Sequence, residues 1–138
     1  MLHILIYGDG QDRETLLTLM DRSQPIAHCE KRYTYLTDRD AFLHEMRYGD
    51  VDLAIFTADG EDGRSAIRSS RLGAPGVPKI WFSNDLNDAF ESYELGCTWF
   101  GLKPPAEDVL RKALTRFMHP ERMIFNDNDL LQQGGLPI

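Results

Sequence analysis

The sequence predicts an α/β domain, a doubly wound sheet of five parallel strands with helices on both faces. Apolar runs of five to seven residues alternate along the chain with segments whose apolar residues recur at helical spacing. Most of those runs are nearly unbroken in Leu, Ile, Val, Ala and Phe, the pattern of strands covered on both sides. Polar, glycine-containing stretches follow their carboxyl ends, where such sheets place binding groups.

The first strand is Leu2 to Tyr7, followed by Gly8-Asp9-Gly10. A helix is expected from Asp12, an N-cap acid ahead of Leu16, Leu17, Leu19 and Met20, and Asp21 to Pro25 close it. Ile26 to Tyr35 reads as a second strand, and its His28, Glu30, Lys31 and Arg32 suit a sheet edge. Thr37 to Asp40 offer caps for a second helix bearing Phe42, Leu43 and Met46, which stops at Gly49. Val51 to Phe56 is the third strand. A glycine-rich loop, Thr57 to Gly63, precedes a third helix through Ala66, Ile67 and Arg71. After the turn Gly73-Ala74-Pro75-Gly76, the fourth strand spans Val77 to Phe82. The fourth helix, Asn87 to Leu95, places Ala89, Phe90 and Tyr93 on one face. Gly96 to Leu102 holds the fifth strand. The fifth helix starts at Pro104-Pro105-Ala106-Glu107-Asp108, with Val109, Leu110, Ala113, Leu114 and Phe117 as its apolar stripe.

With 138 residues and 42% hydrophobic content, the chain suits one core, built without disulfides or metals. Cys29 and Cys97 lie in predicted strands with no ligand-spaced partner and read as buried thiols of a reducing cytoplasm. The formal charge of −7 argues against direct nucleic-acid binding, which needs clustered Lys and Arg. No apolar run approaches the roughly 20 residues of a membrane span, and the first strand makes no signal peptide, so a cytoplasmic location is expected. His3, His28, His44 and His119 are scattered singly and define no metal site. Gly8-Asp9-Gly10 lacks the third glycine of a dinucleotide-binding turn.

Gly96-Cys97-Thr98-Trp99-Phe100-Gly101-Leu102-Lys103-Pro104 resembles the last strand of a response-regulator receiver domain of the CheY-like superfamily, a strand that ends on a phosphate-contacting lysine followed by proline. The resemblance covers about residues 1 to 117. It implies the flavodoxin-like strand order 2-1-3-4-5. It also implies a receiver-like domain over residues 1–119 and a tail or linker over 120–138, leading to an output domain in many relatives. From Ser83 to Lys103 the sequence looks nearest to receivers of LytTR-type transcription regulators.

Carried over residue by residue, the resemblance implies a vestigial phosphorylation pocket made of Asp9, Thr57, Ser83 and Lys103, with Phe100 as the switch aromatic. Gly8-Asp9-Gly10 stands in the place of the family's metal-binding acidic pair, with one of the two acids missing, and Thr57 stands where the phosphoacceptor aspartate belongs. Phosphotransfer needs a carboxylate nucleophile, a cation held by further carboxylates and a lysine to stabilise developing charge. Asp59 and Asp62 lie nearby in the following loop, and Asp59 is the candidate for a relocated acceptor. Mg²⁺ is not expected, nor is any other cofactor; Asp9 is expected to pair with Lys103 in its place. Ser83 reads either as a switch hydroxyl or as a helix cap, and Phe100 either as a switch or as core packing.

The leading expectation is a degenerate pseudo-receiver, not an enzyme, that signals by protein contacts without aspartyl phosphate. Its partner would be another protein or its own output domain, with homodimerisation through the fourth helix, fifth strand and fifth helix (Asn87 to Tyr93, Thr98 to Phe100, Val109 to Phe117). The alternatives are a module that senses an anion or small ligand at Lys103, Ser83 and Thr57, a receiver phosphorylated at Asp59, and a small hydrolase using Asp9, Thr57 and Lys103.

Overall fold

A computed structural model describes residues 1–120. In chain order the elements are β1 (Leu2–Tyr7), α1 (Arg13–Asp21), α2 (Gln24–Ala27), β2 (Lys31–Leu36), α3 (Arg39–Tyr48), β3 (Leu53–Phe56), α4 (Gly60–Gly73), β4 (Lys79–Ser83), α5 (Asp88–Glu94), β5 (Trp99–Leu102) and α6 (Glu107–Met118). The strands form one parallel sheet in the order β2-β1-β3-β4-β5. The fourth and fifth helices read from the sequence are α5 and α6. The tail assigned to 120–138 falls, apart from Pro120, outside the described residues.

Alternation along the strands divides the core in two. Ile4, Ile6, Leu53, Ile55, Ile80 and Phe82 pack with Leu16 and Met20 of α1, Ile26 of α2, and Leu110, Ala113 and Leu114 of α6. On the opposite face Leu5, Tyr7, Ala54, Phe56 and Trp81 meet Phe42 and Met46 of α3, Ala66 and Ile67 of α4, and Leu95 beyond α5. The two tryptophans separate accordingly. Trp81 is wholly buried, and its Nε1 donates to the Ala58 carbonyl at 2.8 Å. Trp99 packs on the other face beneath the guanidinium of Arg116, 5.0 Å from its ring centre. Gly63 is needed where α4 crosses Trp81, since a Cβ there would lie 2.9 Å from the indole and collide with the Ala58 carbonyl.

Several local expectations are corrected. The predicted second strand loses its first residues to α2, because Pro25 suits a first helical turn and Ile26 is fully buried against α6. β2 therefore begins at Lys31, on the sheet edge. Asp12 precedes α1 but makes no cap bond; its carboxylate accepts from Tyr35 instead. Asp38 does cap α3, accepting from Ala41 N at 2.8 Å. Gly49 ends that helix at φ −95°, and Asp50, not the glycine, takes the left-handed conformation at φ 52°. The loop after β3 ends at Asp59: Gly60, Glu61, Asp62 and Gly63 already belong to α4, where acids favour the first turn. Cys29 and Cys97 lie outside the strands and are half-buried.

On α5 the face that carries Phe90 and Tyr93 is turned outward. These two residues are 80% and 86% exposed, while Asp88 and Ser92 point inward.

Candidate site at the carboxyl ends of the strands

Thr57 directly follows β3, donates its amide to the Tyr7 carbonyl at 2.8 Å and is 1% exposed. Its hydroxyl donates to the same carbonyl at 3.4 Å. Beside it Gly8 is buried, and any Cβ at Gly8 would collide with the Thr57 and Tyr35 hydroxyls. Tyr35 reaches over from β2, donating to Asp12 at 2.6 Å and accepting from the Gly10 amide at 3.0 Å. Burial first, and the bond to Asp12 next, push the Tyr35 phenol up to about 12. The corner where a metal-binding acid would project is thus filled by two neutral hydroxyls.

Asp9 is exposed and turns back on its own loop, accepting from the Gln11 amide at 2.9 Å. It does not pair with Lys103. The pairing of β4 with β5 sets Lys103 beside Ser83, whose carbonyl accepts the Lys103 amide at 3.0 Å, and the Lys103–Pro104 peptide is cis. From there Nζ donates to the Thr57 carbonyl at 2.6 Å and to Asp59 Oδ2 at 3.2 Å, with Oδ1 also at 3.2 Å. The lysine side chain is 12% exposed and the Asp59 side chain 43%. Asp59 also accepts from the Asn84 amide at 2.8 Å and from Asn84 Nδ2 at 3.2 Å. Partial burial pushes the Asp59 carboxyl upward, but the Asn84 amide and the Lys103 ammonium outweigh it and hold the group below its ordinary value. One carboxylate therefore ties together the loops that follow β3, β4 and β5.

Ser83 is fully buried and committed. It donates to Asp88 Oδ2 at 2.6 Å and accepts from the Asp85 amide at 3.1 Å, a turn contact two residues on; it does not cap α5, whose N-cap is Asn87 and which has no side-chain cap bond. Asp88, 2% exposed, further accepts from the Gly60 amide at 3.2 Å and from Arg64 Nη1 at 2.9 Å. Phe100 packs edge-on against Trp81, ring centres 5.7 Å apart at 87°, and belongs to the core on that face. Asp62 is taken by Tyr7 at 2.8 Å and Arg39 at 3.0 Å, away from Lys103.

A divalent cation of the kind receivers use needs several oxygen ligands in one place. Gly8 offers none, Asp9 serves its own turn, and Asp59 is engaged by Lys103 and Asn84. Among the described residues no three His, Cys, Asp or Glu side chains come together so as to hold a metal ion. The residues present do not fit a Mg²⁺ site.

Tyr35, Asn84, Arg64 and Asp88 escaped the sequence reading. The only trace Asp88 leaves in the sequence is an acid five residues beyond the Ser83 that ends an apolar strand; its burial is not legible there. Arg64 leaves none, because its partner lies on another helix.

No protein-family model and no curated protein sequence matches the chain. Solved structures do. A response regulator receiver domain protein (CheY-like) from Methanospirillum hungatei superposes with a TM-score of 0.68 at 20% identity, over 89% of this chain and 98% of that one. The fold is that of CheY-like receiver domains. A LuxR family DNA-binding response regulator from Silicibacter pomeroyi gives 0.71 at 16% identity, over 87% and 93% of the two chains. A pilus assembly-related protein from Burkholderia pseudomallei gives 0.70 at 17% identity, over 86% and 90%. Among the described residues no helix is long and apolar enough to cross a membrane.

Proposed function

We propose that this chain is a degenerate receiver module of signal transduction that acts through protein contacts without aspartyl phosphate. The observation that carries the reading is Thr57 at the end of β3, buried and bonded to the Tyr7 carbonyl, with Gly8 beside it where an acid would be needed. A hydroxyl with no general base at hand is a poor phosphoryl acceptor, and its ester would lack the transfer chemistry of an acyl phosphate. The module is proposed to be no enzyme and to govern an output that regulates transcription, in the manner of LytTR-type regulators. The similarity in fold to a DNA-binding response regulator is in keeping with that output. Its contact region is the face of α5, β5 and α6.

Incubation with acetyl phosphate and Mg²⁺, or with beryllofluoride, read by intact mass and melting temperature together, tests this directly. Neither an adduct nor a shift is expected. The Lys103–Asp59 contact favours one rival reading, in which Asp59 is the relocated acceptor. That reading requires a hydroxylamine-labile adduct of one phosphate, lost in Asp59→Asn.

A further inference from the structure

We propose that the outward face of α5 docks a basic amphipathic helix of a partner protein; this rests on the reading above that the module works through protein contacts. The polarity of α5 is reversed. Phe90 and Tyr93 on one side of α5, and Leu86 in the turn ahead of it, are 80%, 86% and 66% exposed, while Asp88 and Ser92 on the opposite side of the helix are 2% and 4% exposed. Large apolar side chains aligned in the solvent mark an interaction surface more often than a packing accident.

Charge selects the occupant. Residues 84–98 contain no Lys or Arg. Asp85, Glu91 and Glu94 have no cationic partner among the described residues; the nearby Arg64 is spent on Asp88 and Glu61, and Arg71 donates to the Glu94 backbone carbonyl. Glu94 lies one turn from Phe90, so a carboxylate borders the stripe directly. A second copy docked on the same face would set carboxylates against carboxylates. A helix with apolar residues four and three apart and Lys or Arg beside them buries the stripe and neutralises its border.

The test uses the full chain and two labelled 18-residue model helices with one apolar leucine face, one carrying lysines and the other glutamates. Fluorescence anisotropy is expected to show binding of the lysine helix alone, weakening as salt rises. Phe90→Ser with Tyr93→Ser should weaken it about tenfold or more. Glu91→Gln with Glu94→Gln should weaken it several-fold, whereas Glu14→Gln with Glu30→Gln, which removes the same charge from distant exposed sites, should change nothing. Circular dichroism checks that each variant is folded. Equal binding of both helices, no binding of either, or an equal loss in the distant pair overturns the proposal. So does concentration-dependent dimerisation abolished by Phe90→Ser, which would assign the face to a second copy. An aspartyl phosphate found while docking persists would sink the phosphate-free reading alone; absent phosphate with failed docking would sink only the basic partner.

Discussion

Truncating Asp88 should be among the most damaging single changes outside the apolar core. The carboxylate is 2% exposed and accepts three bonds, from Ser83 at 2.6 Å, Arg64 at 2.9 Å and the Gly60 amide at 3.2 Å. Asp88→Ala strands a buried hydroxyl, a helix-start amide and a guanidinium whose side chain is only 26% exposed. Removing one partner of a buried ion pair costs about 3–5 kcal/mol. Arg64 retains Glu61 at 3.2 Å and some contact with water, which places the expected loss near the lower bound, about 3 kcal/mol. For a domain of this length that amounts to a fall in melting temperature of roughly 10–15 °C. Urea denaturation of wild type, Asp88→Ala, Arg64→Ala and the double variant gives the coupling as well, and about 1 kcal/mol or more is expected between the two residues. A loss under about 0.5 kcal/mol, with unchanged m-value, would mean that the network contributes nothing and that α5 is held by other contacts.

Asp59 sets a pH dependence. Its folded-state pKa lies below the unfolded value, so its stabilisation is complete above about pH 4 and is lost as pH falls through the folded value. With the side chain 43% exposed the effect should stay under about 1 kcal/mol, and urea midpoints of Asp59→Asn between pH 3 and 6 should lack that part of the wild-type slope. Gly8→Ala forces a methyl group against the Thr57 and Tyr35 hydroxyls and should cost about 1–3 kcal/mol by thermal denaturation; a neutral result would show that Tyr35 moves aside freely. Burial pushes the Cys97 thiol up to about 12, against the pull of Lys79 and Arg71, so it should resist Ellman's reagent at pH 8 until the protein is unfolded. Rapid native-state labelling at Cys97 would show that the thiol of this half-buried residue is not shielded.

The sheet could be read from the sequence because most of its strands are nearly unbroken apolar runs separated by turn residues, with the polar β2 at the edge, and the order of the five strands holds as the resemblance implied. What failed to show was the fine assignment of polar partners. Asp9 and Asp59 are both acids near a strand end, and only the path of the chain after Ala58 brings Asp59, not Asp9, to Lys103. Likewise Phe90 and Tyr93 carry the spacing of a buried helical face, yet Asp88 and Ser92 win the inner side because Ser83, Gly60 and Arg64 supply the bonds that a buried carboxylate demands. Periodicity reports which residues share a side of a helix, but it does not tell which side faces the sheet. Ile26 shows the opposite failure: an apolar residue ahead of a strand looked like its start, while Pro25 was already setting a helical turn.

The placement of Trp81 and Trp99 on neighbouring strands but opposite faces makes the molecule its own pair of optical reporters. Trp81 senses the layer of α3, α4 and α5 from a fully dry site, and Trp99 senses the layer of α6 under a guanidinium. Replacing either one by Phe leaves a single emitter assigned to one side of the sheet. A disturbance arriving at α5 can then be followed as it crosses, or fails to cross, from one layer to the other.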